Sequence, residues 1–419
     1  MELKILHFTP QEVKAGETPS QLHAMLATMA GGAEVHLATL APIPSDAAAT
    51  RNYTTHCIGN GHKGYGTKGI VNLLALQKRF LRLLYGLMPD IIHVHGSYDF
   101  INSRIELWSL RRGFPVIFSP EGGMASDFIE AEYGMRTWKL LTYQRDMVRR
   151  ASAVIAQNEQ EQQYIVSEKL TRRVQTIAPP PTGDPLAAED YNDAIVALYN
   201  KVLDSDKGLH IDENSREAVS ALLHASLAAS SERQPLCSED ILNLRSITPT
   251  QWRDIRLFAY EQGVLTNIDE GIERMRLNVP ATDPSQTDTF APRYSKDTTP
   301  LSVTKIEAIP IAKRNIEHKL QDAGEVIRNA CVMLINIRYH IRHKSITMKH
   351  LCELYAIYRF DNMDEDKFAT TLKSLNIYNF ARRIGQVLQE IAYLDDGFMP
   401  VPPLDDRGTA AIRNALMTY

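Results

Sequence analysis

Cysteine, late glycine and long apolar runs are all scarce in this 419-residue chain, and each scarcity closes off a class of protein. The four cysteines, Cys57, Cys237, Cys331 and Cys352, form no CxxC pair and have no histidine beside them at metal spacing. This excludes a disulfide framework or zinc ribbon, so no metal site is expected and the thiols read as buried and free. The longest apolar runs, such as residues 70–76, fall far short of the roughly 20 residues that span a bilayer, so no transmembrane segment is expected. The chain opens directly into a strand, without a basic stretch followed by an apolar one, and a cytoplasmic location follows as the expectation, with peripheral attachment at the inner membrane face left open. No nucleic-acid-binding motif and no repeat of fixed period is present, so no nucleic-acid partner is expected.

What is there divides at Pro181. Before it, short apolar runs at 3–9, 34–40, 53–58, 91–95, 116–119, 153–156 and 174–177 alternate with helical periodicity, the pattern of a parallel sheet wrapped on both faces. Beyond it almost everything reads as helix. The fold class is therefore α/β, a Rossmann-like parallel sheet domain followed by a mostly α-helical C-terminal region. The segment 178–185 holds four prolines, which remove donors and fix φ, and it reads as a linker or wrap-around closing a first domain at 1–180. Helices are expected at 191–203, 215–229, 238–244 and 248–262, the last opening on a capped Thr248-Pro249. The region 278–301 lacks an apolar period and reads as a flexible linker between a helical region at 181–277 and a helical domain at 302–419. Within the latter, apolar residues at three-and-four spacing predict one helix of about nine turns over 311–342.

Charge follows the same divisions. Residues 1–180 carry 19 basic and 16 acidic side chains, 181–300 carry 11 and 20, and 301–419 carry 16 and 14. Residues 313–349 hold eight basic and three acidic side chains, a surface for phosphate, anionic lipid or the acidic middle region, or simply a solvated helical face.

In open parallel sheets, sites lie at the carboxyl ends of strands. Four strand ends here carry candidate chemistry. After the first, Gly16 and Glu17 precede a helix, where a glycine lets backbone amides approach an anion. The strand 91–95 ends in His95-Gly96-Ser97, with His93 and His95 on one face. The strand 116–119 runs into Pro120-Glu121-Gly122-Gly123, and 153–156 into Gln157-Asn158-Glu159.

Together and in this order, these segments resemble the acceptor-side N-terminal domain of GT-B glycosyltransferases of family 4, over residues 1–180. The family shows a glycine loop, then "PDIIHVHG", "PVVxSPHG" and "A..VIA.s..E" strands. A flavodoxin-like nucleotide- or metabolite-binding domain is the structural alternative. The resemblance implies substrate-binding roles for Gly16, Glu17, His95, Gly96, Ser97, Gly122, Gly123, Asn158 and Glu159, a sugar acceptor and a nucleotide-sugar donor as ligands, and no cofactor. It places Glu121 where the family commonly has a histidine at the cleft mouth. That carboxylate can serve as a catalytic base or as a helix cap.

The family's donor-side domain has no counterpart in the sequence after Pro181. Only seven of the 22 glycines lie beyond position 200, and they form no phosphate loop. The resemblance thus implies a hexosyltransferase-like protein of polysaccharide or glycoconjugate biosynthesis. It either draws donor binding from a separate donor-half protein, uses its helical part in an unfamiliar way, or has become a non-catalytic sugar-, nucleotide- or protein-binding regulator or scaffold.

Overall fold

The computed structural model describes residues 3–10, 21–42, 52–59, 69–131, 133–181, 184–229, 231, 235–291 and 298–418, in two compact units, Met1–Leu203 and Asp204–Tyr419.

In the first unit all seven expected strands form: β1 (Lys4–Thr9), β2 (Glu34–Thr39), β3 (Thr54–Cys57), β4 (Ile91–His95), β5 (Val116–Ser119), β6 (Ala153–Ala156) and β7 (Val174–Thr176). Every pairing is parallel and the order is β3-β2-β1-β4-β5-β6-β7. The intervening helices are α1 (Gln21–Met29), α2 (Gly69–Leu87), α3 (Phe100–Leu110), α4 (Ser126–Ala131), α5 (Tyr133–Lys139), α6 (Arg145–Arg150) and α7 (Glu159–Ser167). Strand alternation divides the work between the faces. Leu6, Phe8, Ile92, Val94, Val116 and Phe118 point into a core shared with Phe80 and Leu84 of α2 and Ile105 and Trp108 of α3. Their neighbours His7, His93, His95 and Ser119 point the other way and are also buried.

The proline segment does not end this unit. Asp184 accepts hydrogen bonds from the amides of Leu186 and Ala187 and so caps α8 (Pro185–Asp204), with Pro185 in its first turn, where a missing N–H costs nothing. The expected helix at 191–203 is the C-terminal part of this longer one. Ile195, Leu198, Tyr199 and Val202 form its buried stripe.

The second unit is helical, with no strand among its described residues: α9 (Glu213–Leu227), α10 (Ser238–Ser246), α11 (Pro249–Glu261), α12 (Leu265–Arg274), α13 (Pro310–Lys319), α14 (Glu325–Arg342), α15 (Met348–Phe360), α16 (Glu365–Ser374), α17 (Tyr378–Ala392) and α18 (Arg407–Thr418). Thr248 caps α11 as expected, in a reciprocal box with Gln251. The single helix expected over 311–342 is instead two, α13 and α14. They part at Gly324, whose φ of 84° is outside the helical range, and an apolar period cannot register such a break. Within the described part of 278–301, Arg256 donates to the Thr282 carbonyl and the Phe290 amide donates to Ser205 Oγ. Cys331 and Cys352 are buried thiols, but Cys57 and Cys237 are exposed, and Cys237 caps α10. No described helix is long and apolar enough to cross a membrane.

Helices α9 and α12 meet backbone to side at Gly271, where an added Cβ would lie 2.4 Å from the Leu222 carbonyl oxygen. Gly271→Ala is expected to force the helices apart at a cost of about 1–3 kcal/mol, measured as a lowered urea midpoint. An unchanged midpoint would show that the contact can relax.

Candidate functional site

The strand order reverses between β1 and β4, the switch point at which open α/β sheets hold their ligands. His7 of β1 and His93 of β4 are register partners across that junction, and His95 lies two residues on, on the same face. The three rings pack within van der Waals reach, with centroids 4.1 to 5.2 Å apart.

Two hydrogen-bond systems run through them. In the first, the Glu121 carboxylate lies 3.4 Å from Nδ1 of His95, and Nε2 of His95 lies 2.9 Å from Nδ1 of His7. The contacts assign Nδ1–H of His95 toward the Glu121 carboxylate and Nδ1–H of His7 as donor to Nε2 of His95, a tautomer assignment inferred from the geometry. Nε2 of His7 is then a bare lone pair, buried and without a partner among the described residues. In the second system, His93 lies 2.6 Å from the Tyr199 hydroxyl through Nδ1 and 2.7 Å from Ser119 Oγ through Nε2. Tyr199 comes from α8, so the helix after the proline segment covers this face of the strand.

Burial, reinforced by the neighbouring imidazoles, holds the pKa of His7 and of His93 well below the ordinary histidine value. Burial likewise keeps the Tyr199 phenol protonated. The Tyr191 hydroxyl, one helix stripe away, is pushed up to about 12 by burial and by the charge of Glu121. Tyr199→Phe removes the hydroxyl against His93 and is expected to cost about 1–3 kcal/mol of stability in urea unfolding. A loss below a few tenths would mean that the contact contributes nothing.

The loop after β5 places Glu121 at the mouth of this system. Its backbone is left-handed, with φ 54°, and its side chain is 31% exposed. The carboxylate that caps backbone amides here is a different one. Glu161, fully buried, accepts from the amides of Gly122, Met124 and Gln157, and burial raises its pKa despite those bonds. The Gly122 amide is therefore already satisfied by protein. Gly123 serves close packing, since a Cβ there would meet Ser97 Oγ at 1.7 Å. Gly96 adopts φ 86°, and the Asn102 side chain donates to the carbonyls of His95 and Gly96, fixing the strand end. Asn158 caps α7 through Glu161 N, and Glu159 is an exposed first-turn residue. Gly16 and Glu17 lie outside the described residues.

The structure thus brings together Glu121, His95, Gly96, Ser97, Gly122 and Gly123. Sequence reading missed His7, Ser119, Glu161, Tyr191 and Tyr199. His7 was within reach, since its position in β1 alternates with Leu6 and Phe8 and its strand borders the switch point. The two tyrosines are eight residues apart on an apolar stripe, a spacing that puts them on one helix face without saying what the face covers.

Although no metal site was expected, His7, His93 and His95 each offer a ring nitrogen within 4.8 Å of the others. Neutral imidazoles suit first-row divalent ions. Binding one here would require giving up the His93 bonds to Tyr199 and Ser119 or the His7–His95 bond, so the described geometry favours a hydrogen-bond relay.

Residues 16–181 match the family model described as a glycosyl transferase 4-like domain. No curated protein sequence matches the chain. Among solved structures, UDP-N-acetylglucosamine 2-epimerase from Rickettsia bellii aligns at 12% identity and a TM-score of 0.32, over 59% of this chain and 66% of that one, just under two thirds.

Proposed function

We propose, with a glycosyl transferase 4-like N-terminal domain as the premise, that this chain binds a sugar acceptor at the β1/β4 switch point and takes part in glycosyl transfer, with Glu121 as the base that accepts the acceptor hydroxyl proton. The observation that carries the reading is the position of the Glu121 carboxylate, at the carboxyl edge of β5 and backed by His95 and His7. A base must first be within reach of the proton it removes, and only then does its pKa matter. Partial exposure gives Glu121 that reach, and the ring of His95, 3.4 Å away, backs the carboxylate. In this reading Gly96, Ser97, Gly122 and Gly123 form the wall beside it.

In this reading a separate donor-half protein or the helical second unit binds the nucleotide-sugar donor. Polysaccharide or glycoconjugate assembly is the setting that fits such a division. The test is purification of the chain from its source followed by transfer assays with a panel of nucleotide sugars, alone and with co-purifying polypeptides. Transfer that appears only with a donor-half partner supports the split arrangement. Acceptor binding without transfer in any combination points to the non-catalytic alternative, a sugar-binding regulator or scaffold.

A further inference from the structure

The basic stretch 313–349 was singled out from sequence as a surface for phosphate, anionic lipid or the acidic middle region, or a solvated face, and the second unit shows where one of its charges goes. A cleft of about 330 Å³ lies among Arg338 of α14, Lys373 of α16, the turn residue Asn376, and Tyr378, Asn379, Phe380 and Arg383 of α17. That volume is at the lower end of the roughly 300–1,000 Å³ range of small-molecule sites. Three cations line it and no carboxylate does. Of the three, only Arg383 is neutralised, by two hydrogen bonds to Asp406 at 2.8 and 2.6 Å, which also hold its guanidinium in place. Arg338 and Lys373 have no ion-pair partner among the described residues, and Lys373 rests 5.1 Å from the Tyr378 ring centroid.

Arg338 is half-buried, and burial together with the charge of Arg342 lowers its pKa, so a positive charge is held there at a cost. An anion bound between Arg338 and Lys373 would offset both charges. Tyr378 and Phe380 add aromatic side chains to the lining, and Asn376 and Asn379 add hydrogen-bonding ones.

We propose that this cleft binds a small phosphate-bearing ligand, its phosphate or diphosphate group held between Arg338 and Lys373. The residues lie in the second unit, so the proposal stands or falls independently of the glycosyl-transfer reading of the first. Isothermal titration of the full chain with inorganic pyrophosphate at low ionic strength is expected to show saturable binding. Lys373→Gln should weaken it about threefold, and Arg338→Gln with Lys373→Gln at least tenfold, while Arg338→Lys retains most of it. Affinity should also fall as salt rises. Thermal melting establishes that each variant is folded, and if Arg338→Gln does not fold, Lys373→Gln decides alone because that side chain is exposed. Absence of saturable binding, affinity unchanged in the folded variants, or indifference to salt overturns the proposal.

Discussion

Glu121→Gln is expected to lower the turnover of glycosyl transfer about 10²–10⁴-fold while leaving acceptor affinity within a few fold, because a positioned base contributes about that much to a proton transfer. The amide is nearly isosteric, so it keeps the shape of the turn and its φ of 54°, which an amide tolerates as well as a carboxylate does. It loses only the ability to accept the proton. His95→Gln separates two roles. If His95 merely packs, kcat stays as it was; if it positions Glu121 across the 3.4 Å contact, kcat falls with KM little changed. Full turnover in Glu121→Gln would remove that residue from the mechanism and return the reading to acceptor binding alone.

Acidification is expected to destabilise the first unit well above the pH at which carboxylates titrate. His7 and His93 have folded pKa values held well below those of the unfolded chain. The unfolded state therefore binds protons that the native state refuses, and stability is lost as pH falls through about 6.5. Each such histidine removes up to about 1.4 kcal/mol per pH unit, so the pair accounts for about 3 kcal/mol between pH 6.5 and 5. Glu161 acts with the opposite sign: its folded pKa is raised, so its contribution is lost as pH rises rather than as it falls. The comparison that isolates the histidines is the pH slope of urea unfolding in the wild-type chain against His7→Gln, which should be shallower by about one proton. Equal slopes would mean that His7 is protonated in the folded protein, and that the tautomer pattern running from Glu121 to His7 is wrong.

The strands were legible because each buried run is short, apolar and bounded by turn residues, and a parallel sheet buried on both faces writes that pattern directly into the chain. The ends of β4 and β5 were legible as candidate positions for the same reason, since open parallel sheets hold ligands at the carboxyl ends of their strands. Other features were not. The helix break at Gly324 depends on one backbone angle that leaves the apolar spacing of 311–342 undisturbed. The exposure of Cys57 and Cys237 depends on where their segments pack, which residue type alone does not state.

By itself, the sequence determined a parallel α/β domain before Pro181, helices after it, and a carboxylate where the glycosyltransferase family it resembles commonly places a histidine. Local pattern decides these, because hydrophobic period and turn chemistry act over neighbouring residues. Only the tertiary structure decided that His7 joins His93 and His95, that α8 returns Tyr199 to them, and that Glu161 rather than a ligand fills the Gly122 and Met124 amides. Those contacts join residues tens of positions apart. They are set by strand order, register and helix placement, which no local spacing encodes.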